Sequence, residues 1–269
     1  MCLVPWQHAA PLPDNHISWS EAATLPVAVQ VPLSAWDALG IPRVKVGSAP
    51  SSGEDDAVGA PQGANHKAEA LLVWGASSSV GTMGVQTASI LRDDPTSSIG
   101  AVYATAGAAN HEYISSLGAD RIFDYNNGDV VDAIIAAARD DGLAVRHCFL
   151  ATGNLVPCQA ILKAFVGEGS QSTHIGAKIA SAPPIPPDAA VVDGVETIFV
   201  TPSMDDEEKR LAQFEYWMGT WLRETLANGK IRPSPLPKVV GRGQEAINVG
   251  LDELAKGVSC VKLVVEVGE

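Results

Sequence analysis

Short apolar runs alternate with stretches of helical periodicity along most of the chain. Residues 70–74 (ALLVW) form a continuous apolar run that stops at Gly75, the pattern of a strand buried on both faces. Just beyond it, Val80, Met83, Gly84, Thr87, Ala88 and Leu91 recur at spacings of three and four, which predicts a helix. The same alternation continues through a strand at 101–104, a helix at 111–117, a strand at 121–123, a helix at 130–138, a strand at 145–150, a helix at 157–165 and a strand at 197–200. Residues 205–228 carry Leu211, Phe214, Trp217, Met218, Trp221 and Leu222 on one face and read as the longest helix, with the aromatic stripe belonging to the core. A helix at 244–256 stopped by Gly257, and a strand at 261–267, close the chain.

Upstream, residues 18–39 are helical in pattern, with Ser18 or Ser20 as the cap and with Pro26 and Pro32 dividing the stretch into two short helices. Residues 44–68 are rich in Gly, Ser, Pro and Asp and cannot bury enough apolar surface to offset ordering, so a mobile surface loop is expected there. Residues 181–187 form a Pro-rich surface segment. Strands alternating with helices are the mark of right-handed βαβ units, so the fold class is α/β, a doubly wound parallel sheet with helices on both faces.

Composition narrows the function. The 269 residues are 46% hydrophobic and 18% charged, enough apolar material for one large or two modest domains. Eighteen Lys and Arg against 31 Asp and Glu give a net charge of −13, a field that repels nucleic acid and anionic membranes. The N-terminus lacks a basic and long apolar leader, and no apolar run approaches the roughly 18 residues of a membrane span, so a soluble cytoplasmic protein is expected. Cys2, Cys148, Cys158 and Cys260 are scattered without metal-ligand spacing and read as small apolar residues of a reducing compartment. The six histidines are dispersed, no metal site is expected, and neither a G-x-S-x-G nor an H-E-x-x-H motif occurs.

The chemistry lies in Trp74-Gly75-Ala76-Ser77-Ser78-Ser79-Val80-Gly81, at a strand-to-helix junction. Small residues there let the backbone approach a pyrophosphate, and the free N–H groups at the helix start favour the anion. Only Gly75 and Gly81 remain of a strict glycine fingerprint, and a tight βα turn without a ligand is the alternative reading. In an NAD site an acid about 20 residues after the turn holds the ribose 2′-hydroxyl. Here no acid occurs from Tyr103 until Glu112, which leans towards NADP, but the counter-charge is also missing, since His111 is the only basic residue between Thr105 and Asp120.

Residues 71–91 (LLVWGASSSVGTMGVQTASIL), LGAD at 117–120, FDY at 123–125, EAATLP at 21–26 and SCVKLVVEV at 259–267 together resemble the medium-chain dehydrogenase/reductase superfamily, and within it the fungal zinc-independent enoyl reductases and alcohol-dehydrogenase-like oxidoreductases. The resemblance covers the chain apart from the 44–68 loop. It implies a Rossmann domain over 21–258, a remnant of a barrel-like catalytic domain at 1–20 and a strand returning to that domain at 259–269, which would find few partners here and would leave an edge that invites a homodimer. It also implies NADPH, with Gly75, Ser77, Ser78, Ser79 and Val80 against the pyrophosphate, Gly107, Ala108, Ala109 and Asn110 at the 2′-phosphate, and Tyr125 beside the adenosine ribose. Ser34 would lie near the nicotinamide, and Ser259 and Cys260 in a closing segment near the cofactor. Ala108 and Ala109 stand where relatives commonly carry a basic or Pro-containing stretch. The implied activity is hydride transfer to an activated C=C or C=O of a small molecule, with no catalytic side chain assigned. Two other readings stay open: a catalytically impaired nucleotide-binding remnant or partner subunit, and an interaction module that needs no nucleotide.

Overall fold

The computed structural model describes residues 3–13, 17–44, 67–167 and 176–267. Nearly all of the loop expected at 44–68 therefore lies outside the described residues, as do Cys2, His16, His66 and His174.

Helix α1 (Trp19–Ala22) opens with a capping box in which the Ser18 hydroxyl accepts from the Glu21 N–H and the Glu21 carboxylate accepts from the Ser18 N–H. Helix α2 (Pro26–Leu39) begins with Pro26 in its first turn, where a missing N–H costs nothing. Pro32 does not break it, contrary to the sequence expectation. Its ring is buried together with Ala28, Val29, Leu33, Ala35, Trp36 and Leu39, and the burial of that face outweighs the one hydrogen bond a proline removes.

The chain then alternates strand and helix: β1 (Glu69–Trp74), α3 (Ser79–Asp93), β2 (Ile99–Thr105), α4 (His111–Ser116), β3 (Arg121–Phe123), α5 (Val130–Asp140), β4 (Ala144–Leu150), α6 (Leu155–Lys163), β5 (Ala177–Ser181) and β6 (Val195–Phe199). The six strands form one parallel sheet in the order β3-β2-β1-β4-β5-β6. This is the doubly wound Rossmann arrangement, whose order reverses between β1 and β4. Strand β1 shows why it must be central. Leu71 and Val73 enter the core shared with α2 and α3, while Ala70, Leu72 and Trp74 enter the core on the α5 and α6 side. Both faces of β1 are thus covered, which is what its continuous apolar run requires.

After β6 a long helical run comprises α7 (Glu207–Phe214), a π-helical segment (Glu215–Leu222) and α8 (Arg223–Ala227), and buries Trp217, Met218, Trp221 and Leu222. Strand β7 (Leu236–Arg242), helix α9 (Glu245–Ala255) and β8 (Val261–Glu266) complete the order. Strand β8, expected to find few partners, has one: it pairs in parallel with β7, from Leu236 opposite Val261 to Arg242 opposite Glu266, in a separate two-stranded sheet. Cys148 and Cys158 are buried free thiols and Cys260 is half-buried. Among the described residues no helix is long and apolar enough to cross a membrane.

Candidate functional site

The carboxyl end of β1 delivers the chain into the glycine turn. Gly75 adopts φ +79°, and a Cβ there would meet the Thr152 carbonyl oxygen at 2.7 Å. At Gly81 a Cβ would fall 2.3 Å from the Gly75 carbonyl oxygen, so the first turn of α3 can pack onto the strand end only without a side chain. Thr105, the last residue of β2, pins the turn from the side. Its hydroxyl accepts from the Gly75 N–H (2.9 Å) and its carbonyl from the Ala76 N–H (2.8 Å).

The serines between the glycines have a local reason. Ser78 is the N-cap of α3, with φ −75° and ψ 164°, a conformation that asks for no glycine. Its hydroxyl donates to the Gly75 carbonyl (2.9 Å) and accepts from the Gly81 N–H (3.1 Å). Among the described residues, the N–H groups of Ser77, Ser79 and Val80 have no protein acceptor, and all three residues are partly exposed. Three unpaired donors at the start of a 15-residue helix make an anion-binding corner.

Lys262, on β8, places its Nζ 3.4 Å from the Ser79 hydroxyl oxygen and adds a positive charge to that corner. The sequence reading named Ser259 and Cys260 in this segment but passed over Lys262. Its only local signal is a lone cation inside an apolar strand. Cys260 takes φ +54°, a left-handed conformation that costs a residue with a side chain about 1 kcal/mol, and it forms the bend just ahead of β8. Burial pushes its thiol up to about 11. Ser259 accepts a hydrogen bond from the Asn110 side chain (2.8 Å), which ties the segment before β8 to the loop after β2.

That loop carries the other expected residues. Ala108–Asn110 form a single 3-10 turn, closed by the Asn110 N–H on the Gly107 carbonyl (2.9 Å). A side chain at Gly107 would come within 3.5 Å of the Tyr125 hydroxyl, and Tyr125 itself is 46% exposed. Asp124 receives the Ala108 N–H at 3.2 Å, and the Asn126 backbone and side-chain amides at 2.9 and 2.8 Å. Those Asn126 bonds first, and the Ala108 bond with them, hold its carboxyl below the usual carboxylate range.

Ser34 lies elsewhere on the same edge of the sheet. It is buried on α2, and its hydroxyl donates to the Thr201 carbonyl at 3.3 Å, two residues beyond β6. A cavity of about 440 Å³ opens beside it, lined by Asp37, Arg43, Thr201, Lys209 and Gln213. From β1 to β6 is three strand spacings, roughly 14 Å. Along the carboxyl edge the expected residues thus fall in sequence: Tyr125 after β3, Gly107 to Asn110 after β2, the glycine turn after β1, and Ser34 with Thr201 at β6. A dinucleotide bound across the point where the strand order reverses puts its two halves on opposite sides of that point. The structure therefore joins the turn, the β2 loop, Tyr125, Ser259, Cys260 and Lys262 into one cluster, and sets Ser34 apart from it. Among the described residues no three His, Cys, Asp or Glu side chains come together as a metal-holding group.

The sheet order and the glycine turn define a Rossmann-type α/β protein. No family model matches the chain. Among curated proteins it is 36% identical over 257 residues to the trans-enoyl reductase tndF of Aspergillus flavipes, covering 95% of this chain and 65% of that relative. It is 31% identical over 277 residues to the dehydrogenase orsE of Emericella nidulans, covering 98% of this chain and 69% of that relative. Among solved structures it superposes on the CurK enoyl reductase with a TM-score of 0.61 at 17% identity, covering 94% of this chain and 64% of that one. An NAD-dependent alcohol dehydrogenase gives a TM-score of 0.65 at 21% identity, covering 98% and 63%. The chain belongs to the medium-chain dehydrogenase/reductase superfamily and, within it, to the fungal enoyl reductases and related dehydrogenases. It spans just under two thirds of the length of tndF.

Proposed function

We propose that this protein is an NADPH-dependent enoyl reductase acting on a small molecule in the cytoplasm. The observation that carries the reading is the anion corner: unpaired N–H groups of Ser77, Ser79 and Val80 beside the Lys262 ammonium. These groups would hold the pyrophosphate, as backbone donors and a fixed charge that need no rearrangement to accept it. The NADPH form is preferred because β2 ends in Thr105-Ala106-Gly107, with no carboxylate to take a ribose 2′-hydroxyl.

When bound, the cofactor would supply the chemistry, a hydride for the carbon β to a carbonyl, with the α carbon taking its proton from solvent so that the C=C becomes a single bond. The chain's share is position and shelter. Gly75, Gly81 and Thr105 fix the turn, and Asn110 and Ser259 clamp the loop to the segment before β8. The cavity beside Ser34 and Thr201 gives room at the β6 side for the substrate. Two measurements test the reading. NADPH fluorescence should rise on titration with the protein and saturate, and absorbance at the reduced-nicotinamide band should fall when an α,β-unsaturated thioester is added. Absence of saturable binding at high micromolar NADPH and NADH would remove the proposal.

A further inference from the structure

We infer that two copies of this chain pair through the open edge of β8, antiparallel about a two-fold axis at Val264, so that Lys262 of each copy faces Glu266 of the other. The pairing makes no use of the cofactor reading above.

A two-stranded sheet has two open edges, and an open edge offers unpaired backbone groups to any further strand. Among the described residues β7 and β8 pair only with each other. The Glu266 carbonyl accepts from the Gly243 N–H (2.8 Å), so Glu266 turns its backbone groups towards β7. By alternation along a regular strand Val264 and Lys262 do the same, while Val261, Leu263 and Val265 turn theirs outward. Among the described residues no backbone bond from outside the β7–β8 ladder reaches 261–265. The side chains along this edge are apolar and incompletely covered: Val261, Leu263, Val264 and Val265 are partly exposed, and Val267 is 93% exposed.

What such an edge accepts is decided by its side chains. In an antiparallel pairing of β8 with itself centred on Val264, Leu263 lies opposite Val265, Lys262 opposite Glu266, and Val261 opposite Val267. Leu263 and Val265 carry outward backbone groups, so they form the hydrogen-bonded pairs. Lys262 with Glu266, and Val264 with its own copy, fall at the other kind of pair, where Cα atoms come within about 4.5 Å and side chains meet most closely. The two-fold axis makes the Lys–Glu contact twice, and opposite charges directly across a ladder are favourable where like charges are not. The Glu266 side chain is 46% exposed, and its nearest cation, Arg242, stands 3.5 Å away. The Lys262 ammonium has three donors, so it can meet the carboxylate and keep its contact with the Ser79 hydroxyl.

The other edges lack this match. Strand β7 paired with itself about Val240 would set Lys238 against Arg242, cation on cation. In the six-stranded sheet, β6 carries one charge, Glu196, and no cation to set opposite it, and β3 is three residues long. Among the described residues the edge of β8 is therefore the one whose charges complement themselves, which commits the occupant to a second copy of this chain.

The test is sedimentation velocity at high micromolar protein and near-physiological salt, where a Debye length of about 8 Å screens the mutual repulsion of two chains that each carry −13. Wild-type protein should sediment with twice the 28.0 kDa of one chain. Val264→Lys and Val264→Asp each put like charges face to face at the axis, so each alone should run at the mass of one chain. An equimolar mixture of the two should regain the doubled mass, because lysine then faces aspartate. A third variant, Val264→Cys, replaces the half-buried valine with another small apolar side chain and keeps the test decisive where the charged variants fail to fold. Its thiol should join that of its own copy when oxidised glutathione takes up the two electrons and two protons as two glutathione thiols, giving a band of doubled mass on a non-reducing gel. Wild-type protein run alongside accounts for the native cysteines. Wild-type protein that stays at the mass of one chain, a doubled mass that survives in both charged variants, or a Val264→Cys protein that cross-links no more than wild type would overturn the inference.

Discussion

Ser78 combines two tasks that a glycine in its place could not. Its extended φ and ψ let the chain leave the Gly75 turn, and its hydroxyl closes the first turn of α3 by accepting from the Gly81 N–H. Ser78→Ala should therefore lower stability by about 1 kcal/mol in thermal unfolding, whereas Ser78→Gly should cost only a few tenths, because a glycine N-cap leaves the donors open to water. Lys262 makes the opposite kind of contribution. It caps nothing in the fold, and its nearest polar contact is the Ser79 hydroxyl at 3.4 Å. Lys262→Ala should leave the melting temperature within a degree or two, as surface substitutions do, and should weaken NADPH and NADH alike by about tenfold through the lost pyrophosphate charge. Equal affinity of wild type and variant in the fluorescence titration would show that the ammonium plays no part. The contrast explains what could be read at this scale. Gly75 and Gly81 announce themselves because their steric demand is local, while Lys262 becomes part of the corner only through a contact across 183 residues.

At the scale of elements, each strand of β1 through β4 and the helices between them were legible because an apolar run or a three-and-four spacing survives in the sequence wherever burial is one-sided or complete. Strand β5 was not. Its five residues, AKIAS, place Lys178 second, half-covered beside Glu196 of β6, so neither an apolar run nor a clean alternation appears. Strand β7 was hidden by Pro237 and by Gly241, where a Cβ would meet the Ala246 side chain at 2.7 Å. Strand β7 is the one partner that β8 finds. The link between the two parts is a buried network. The Gln86 side chain on α3 donates to the Arg232 carbonyl (3.1 Å) and the Ser234 hydroxyl (2.9 Å), and accepts from the Arg232 N–H (2.9 Å), and Ser234 in turn donates to Thr82 (3.0 Å). Gln86 is 4% exposed and Ser234 fully buried. Gln86→Leu preserves volume but strands the Arg232 backbone groups, and should lower stability by about 2–3 kcal/mol. Urea unfolding should show it as a lower midpoint with an unchanged slope.

For the molecule as a whole, acidification sets two effects against each other. The net charge of −13 at neutral pH shrinks towards zero near the isoelectric point of 4.8, which relieves self-repulsion and favours the compact state. The pair of Glu69 and His147 acts in the other direction. Glu69 begins β1 and His147 lies in β4, so their 2.9 Å contact joins the two central strands at the amino edge, where the side chains are 15% and 18% exposed. Burial pushes the Glu69 carboxyl up, but the His147 bond and charge, with Arg146 and the Ser98 hydroxyl, outweigh it and hold the group below its ordinary value of 4.5. A carboxyl whose folded value is depressed contributes stability above its unfolded value and loses that contribution as pH falls through the folded one. The wild-type protein should therefore exceed Glu69→Gln in stability by on the order of 1 kcal/mol at pH 6, the worth of a charge-assisted hydrogen bond, and the two should converge as pH falls through the depressed folded value. The whole-molecule charge term differs between them by a single unit and cancels in the difference, so chemical denaturation of both proteins at matched pH isolates the pair. A gap that stayed unchanged down to the lowest pH at which both proteins remain folded would mean that Glu69 stabilises the strands by packing alone.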